Sequence, residues 1–216
     1  MTNKKRGGIC LIIILFSLSL CAQQDKQAKK ILDKTSAVFQ QAKGINAGFY
    51  LENTSKSGKK IGEGKGTIRI KGNQFVMDSE GITTWFDGKT QWSYVAANEE
   101  VNISNPSPEE LQSINPYTLL NLYRQGFNYQ YNGIKTRGGR QGYEIRLIPQ
   151  NKKQEMSSII LFVTKTYQPY YIEVRQKDGS TSEITATTYQ TGLLFEDSFF
   201  RFDNKKYPKA EMIDLR

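Results

Sequence analysis

The acids Asp87, Glu99, Glu100, Glu109 and Glu110 form the one dense carboxylate group in the first half of the chain. Two such groups flanking a glycosidic bond could act as acid and base, or as acid and nucleophile. The chain has no histidine. A Ser-His-Asp triad, a Cys-His dyad and a His-ligated zinc are therefore excluded. Asp87 precedes Gly88 in a turn signature, and Glu109 and Glu110 follow Ser107-Pro108 in a helix-cap signature. These structural roles account for the acids without catalysis, so no enzymatic activity and no catalytic residue is expected. Gly62, Gly64 and Gly66 alternate with Glu63 and Lys65. They lack the strand–turn–helix context and the G-K-[ST] ending of a phosphate loop, and fit a strand edge closely approached by another element. Aromatics interleaved with Lys and Arg could stack on nucleic acid, but an exported chain rarely meets that partner and strands are rich in aromatics anyway. No nucleic acid, metal or cofactor is expected.

The elements that must position these residues follow from composition and pattern. The 216 residues carry 30 Lys+Arg against 21 Asp+Glu, with 38% apolar and 12% aromatic content. This is too aromatic for a disordered chain and enriched in strand formers. Lys4, Lys5 and Arg6 precede an apolar run, Ile9 to Leu20, and a polar stretch opens at Gln23. A membrane-spanning helix needs about 20 apolar residues, so 1–22 reads as a signal peptide cleaved near Ala22. Losing the segment's three cations lowers the net charge from +9 to +6 and removes Cys10 and Cys21, the chain's two cysteines. A rival reading makes Cys21 a lipid-modified N-terminus, with bulky Leu20 standing where that processing prefers a small residue. The mature product is expected to be soluble and exported, without disulfides, as a single domain over 23–216 and as a monomer.

Ala28, Ile31, Leu32, Thr35, Val38, Phe39 and Ala42 recur at helical spacing and predict a helix over 25–42. Period-two alternation then predicts a meander from Ile45 to about Asn105. Asp87-Gly88 and Asp178-Gly179 read as hairpin turns, the first as type I′. Ser107-Pro108-Glu109-Glu110 and Asn115-Pro116 open two short helices. Tyr117, Leu119, Leu120, Leu122 and Tyr123 make the second so apolar that it must bury most of its surface. Strands resume at Phe127, and Phe199, Phe200 and Phe202 precede a polar tail. A sheet of this size must curl to manage its edges. Its inner face is then either a core filled by its own side chains or a cavity for an apolar ligand, and the sequence leaves both open.

Several pieces together resemble the LolA-type outer-membrane lipoprotein carriers. They are the N-terminal helix with Phe39, Gly66-Thr67-Ile68-Arg69-Ile70-Lys71 with Phe75, and Phe86-Asp87-Gly88-Lys89-Thr90-Gln91-Trp92-Ser93-Tyr94 with Val101. Pro116 to Leu122, Asp178-Gly179-Ser180 and Phe200 with Phe202 complete the set. The resemblance implies a mainly β fold with α. This is an incomplete antiparallel β-barrel of about ten to eleven strands, covered by the N-terminal helix and a central helical lid. It implies a periplasmic protein with a cavity for the acyl chains of lipoproteins. The chains would be taken from an inner-membrane release complex and passed to an outer-membrane acceptor. The residues expected to line cavity and lid are Phe49, Leu51, Ile68, Ile70, Phe75, Met77, Trp85, Trp92, Tyr94, Leu111, Leu119, Leu120, Leu122, Ile172 and Val174. The family commonly places an arginine a few residues before the phenylalanine matched by Phe75, where it bonds to the lid and holds it shut. Lys71 stands there as the candidate latch, though one ammonium on a flexible stem cannot reproduce a guanidinium fork. Two other readings stay open: a related periplasmic domain that binds or senses another lipid or a lipoprotein tail, and an envelope hydrolase using Asp87, Glu99 and Glu100.

Overall fold

The computed structural model describes residues 25–107, 110–111, 123–124 and 126–216. The expected signal segment with Cys21, and Leu119, Leu120 and Leu122 of the expected lid, lie outside the described residues.

Helix α1 spans Lys26–Gln41. Asp25 caps it, its Oδ1 accepting from the backbone N–H of Gln27 and Ala28. The apolar spacing read from sequence is the buried face: Ala28, Ile31, Leu32, Thr35 and Phe39 point inward. Lys26, Lys29, Lys30 and Lys34 stay exposed.

Twelve strands form one sheet. They are β1 (Ile45–Thr54), β2 (Lys60–Lys71), β3 (Gln74–Ser79), β4 (Ile82–Phe86), β5 (Gln91–Val95), β6 (Glu100–Ser104), β7 (Phe127–Arg137), β8 (Arg140–Pro149), β9 (Met156–Thr164), β10 (Pro169–Gln176), β11 (Thr181–Thr191) and β12 (Glu211–Asp214). The spatial order is β12-β6-β5-β4-β3-β2-β1-β11-β10-β9-β8-β7. Two hairpin-connected meanders, β1–β6 and β7–β11, are thus joined by antiparallel pairing of β1 with β11. The ends, β7 and β12, do not pair with each other, so the curved sheet stays unclosed. One register shift lies in the β1–β11 seam at Gly48/Phe49. A Cβ on Gly48 would stand 2.6 Å from Thr187 Oγ1 and 2.8 Å from Thr188 Oγ1. Glycine is what admits this bulge, and bulges increase local twist and curvature.

Two expectations need correction. The strand count is twelve because the polar tail contains β12, which pairs in parallel with β6. A four-residue strand with exposed Glu211 and Met212 carries no readable alternation. Asp87-Gly88 is not a two-residue type I′ turn. Residues 87–90 form a longer loop, in which Asp87 Oδ1 accepts from the N–H of Lys89 and Thr90 and only Gly88 takes positive φ. Of the alternating glycines of β2, Gly66 pairs with both β1 and β3, whereas Gly62 and Gly64 run past the end of β3 and pair with β1 alone, on a local strand edge.

Candidate functional site

The inner face of the sheet is the one that carries α1. Strand alternation brings Ile45 and Ala47 of β1, Ile68 and Ile70 of β2, Phe75 of β3 and Phe86 of β4 to this side. From the other meander come Tyr129, Ile145, Leu147, Ile159, Leu161 and Ile172. All join Ala28, Ile31, Leu32 and Phe39 of α1 in one buried cluster. Phe75 and Phe86, directly opposite across β3–β4, hold their rings 5.4 Å apart.

Burial falls off along the strands. Phe49, Met77 and Val174 are only partly buried against the cluster. Leu51 and Ile184, facing each other across the seam, are also half-buried. Phe49 and Leu51 stand opposite Gly66 and Gly64 of β2. The alternating glycines therefore leave the inner side of β2 without side chains where its neighbours are apolar. A Cβ on Gly66 would lie 2.4 Å from Phe49 Cζ and 2.5 Å from the carbonyl oxygen of Asp78. The Phe49 ring rests in the space glycine leaves, which is the close approach expected from the glycine spacing.

The insertion between β6 and β7 begins with the predicted capping box. Glu110 N–H donates to Ser107 Oγ at 3.3 Å, and Ser107 N–H donates to Glu110 Oε2 at 2.7 Å. Hydrogen bonding to the Ser107 backbone holds the Glu110 carboxyl below its usual range. Leu111 packs partly buried against the inner cluster. At the far end of the insertion Tyr123 is fully buried. Its hydroxyl donates to Asp33 Oδ1 on α1, and Arg124 Nη2 reaches the same oxygen at 3.0 Å. Partial burial works against ionisation of Asp33, but hydrogen bonds from Lys29, Tyr123 and Arg124 bring its carboxyl down to about 2. Burial and then the Asp33 bond push the Tyr123 phenol up to about 12. Asp25 makes a second clamp: its Oδ2 accepts from Tyr131 N–H on edge strand β7 at 2.9 Å. At the rim, Lys34 Nζ lies 4.9 Å from the Tyr167 ring centre, and Tyr167 stacks on Tyr143 at 5.5 Å.

The structure brings together Phe49, Leu51, Ile68, Ile70, Phe75, Met77, Leu111, Ile172 and Val174 of the residues expected around a cavity. It separates Trp85, Trp92 and Tyr94 from them. These three point to the outer face, where Val76, Trp85 and Phe200 form a second cluster joined by Trp92, Tyr94, Phe195, Phe202 and Tyr207. Trp85 meets Phe202 and Tyr207 edge-on, with centroids 5.5 and 5.6 Å apart. Lys71 is a latch of another kind than expected. Its ammonium donates to the Phe195 carbonyl at 2.7 Å and Asp197 Oδ1 at 2.9 Å, fastening the C-terminal segment to the outer face. The alternation that puts Lys71 beside Arg69 gives this placement. The Asp33–Tyr123–Arg124 clamp had no sequence signal, because its partners are about 90 residues apart. The acids do not converge: Asp87 follows β4 and precedes β5, whereas Glu99 lies beyond β5's other end. Asp87 is bonded to Arg201 at 3.2 Å. Among the described residues no group of three acids could hold a metal ion.

Residues 18–178 match a family described as "outer membrane lipoprotein carrier protein LolA". No curated protein sequence matches the chain. Among solved structures, an uncharacterized conserved protein from Thermus thermophilus is similar at a TM-score of 0.60 and 12% identity, covering 88% of this chain and 99% of that one. A LolA superfamily protein from Nitrosomonas europaea matches at TM-score 0.46 and 12% identity, over 82% and 98% of the two chains. The lipoprotein LppX of Mycobacterium tuberculosis matches at 0.45 and 13%, over 78% and 99%.

Proposed function

Because the chain belongs to the LolA family of outer membrane lipoprotein carrier proteins, we propose that its inner face binds the acyl chains of lipoproteins. In this reading the mature protein is a periplasmic, non-enzymatic carrier. It takes lipoproteins from an inner-membrane release complex and delivers them to an outer-membrane acceptor. The observation that carries the reading is the inner face itself. It is apolar across both meanders, yet only half-buried around Phe49, Leu51, Met77, Val174 and Ile184, where Gly64 and Gly66 thin the wall.

The energetics of such a carrier set a limit on its fit. Burying acyl chain contributes about 0.8 kcal/mol per methylene, so a slot matched to several chains would hold them too tightly to release. Closure of the carrier's own apolar segments over the empty face opposes binding and brings the net affinity down. The insertion between β6 and β7 suits that role, since one end packs Leu111 on the cluster and the other is clamped at Asp33.

Mixing the mature protein with inner-membrane vesicles loaded with lipoprotein tests the reading. The expected result is a soluble one-to-one complex with lipoprotein. Lipoprotein that stays wholly with the membrane refutes it. Co-purification of a different lipid, identified by mass spectrometry, would instead favour a lipid-binding or sensing domain.

A further inference from the structure

The first meander reverses its polarity beyond β4. The outward positions of β5 and β6 are apolar: Trp92 and Tyr94 sit opposite Ile103 and Val101, and both of these are buried. The inward positions of these two strands are polar except for Val95. Thr84 of β4 lies opposite Ser93 of β5, and Ser93 lies opposite Asn102 of β6. Gln91 pairs with Ser104 in the next inward row. This strip adjoins the Phe75–Phe86 pair at the margin of the apolar cluster, because Phe86 is also the cross-strand partner of Gln91. Its members are bonded among themselves. Thr84 Oγ1 and Ser93 Oγ share a hydrogen bond at 3.1 Å, and Gln91 Nε2 donates to Ser93 Oγ at 3.3 Å. One acceptor is left over: Gln91 Oε1 is buried and has no hydrogen-bond partner among the described residues.

A buried carbonyl oxygen without a donor costs about 1–3 kcal/mol. Leucine at position 91 would carry no such cost. The arrangement makes physical sense if the donor arrives with a ligand. An acyl anchor is not all hydrocarbon: its chains converge on ester carbonyls and, at an N-acylated cysteine, on an amide N–H. We propose that the Gln91–Ser93–Asn102–Ser104 strip is the subsite for this polar junction. Gln91 Oε1 accepts the amide N–H, and the Ser and Asn side chains donate to ester carbonyls, while the chains lie on the neighbouring apolar face. The inference rests on the carrier reading and adds to it a reason to prefer acylated cysteine over free fatty acid.

The test compares two probes on the mature protein by titration calorimetry: a peptide bearing tripalmitoylated S-glyceryl-cysteine, and palmitic acid, which lacks the junction. Gln91→Leu is expected to weaken the lipopeptide about tenfold, the loss of one well-made buried hydrogen bond. It should leave palmitate within about twofold, less than a third of the energy of a tenfold change, and leave the melting temperature unchanged or raised. Ser93→Ala and Asn102→Leu provide the same comparison if Gln91→Leu folds poorly. Unchanged lipopeptide affinity, or equal weakening of both probes, overturns the subsite while the carrier reading stands. A wild-type protein that binds neither probe removes both.

Discussion

Asp33 illustrates how much one side chain can join. It sits on α1, accepts from Lys29 one turn away, and receives Tyr123 and Arg124 from the end of the insertion. Its carboxyl lies near 2 in the folded protein, against about 3.9 in an unfolded chain. A depressed carboxyl adds stability that is present above the unfolded value and is lost as pH falls through the folded one. Stability should therefore drop between about pH 4 and pH 2 through this group. Because Asp33 is about a third exposed, screening limits the contribution to about 1 kcal/mol. Urea titrations at pH 6 and pH 2.5 should show a larger acid loss in wild type than in Asp33→Asn. Equal losses would mean that the clamp adds nothing measurable. The same scale explains the Lys71 result. Alternation with Arg69 fixes which face the lysine occupies, but its partner depends on a segment about 125 residues away.

At the scale of elements, the C-terminal segment after β11 acts as a strap on the outer face. Phe200 closes a short 3₁₀ turn, Asp197–Phe200, and is completely buried with Val76 and Trp85. Phe202 and Tyr207 continue the cover, stacked with centroids 5.2 Å apart, and β12 then pairs with β6. Truncating a buried phenylalanine typically costs about 3–5 kcal/mol. Phe200→Ala should lower the melting temperature sharply. Yet lipid uptake by the remaining folded protein should be unchanged, because the outer cluster is separate from the inner face. A variant that melts normally but fails to load lipid would contradict that separation. This strap is also why β5 misleads when read alone. Trp92 and Tyr94 alternate as inward residues of an ordinary half-buried strand would, but here the apolar cover lies outside. Helix α1 shows the opposite case: its cap, its buried stripe and its lysines follow from spacing alone, since helical periodicity is a local property.

At the scale of the whole molecule, two meanders meet along β1 and β11 and leave the far edges, β7 and β12, unpaired. The opening is bridged in sequence by the insertion between β6 and β7. If its apolar residues exchange between the sheet and solvent as ligand enters, Leu119→Glu or Leu122→Glu should reduce lipid loading several-fold. The cost to the melting temperature should be less than a core substitution of about 2–5 kcal/mol would cause. A large fall in melting temperature with it would mark the insertion as permanent core. The sequence alone determined the elements whose signals are local: helix α1, the glycine spacing of β2, the capping box at Ser107, and the alternation that makes a curled antiparallel sheet. With them came the order of motifs that relates the chain to lipoprotein carriers. Tertiary structure decided what depends on distant partners. Alternation groups a strand's side chains into two sets but does not name which set faces the ligand. That choice was made by where α1 and the C-terminal segment pack, and it moved Trp85, Trp92 and Tyr94 out of the inner face and left Gln91 in it.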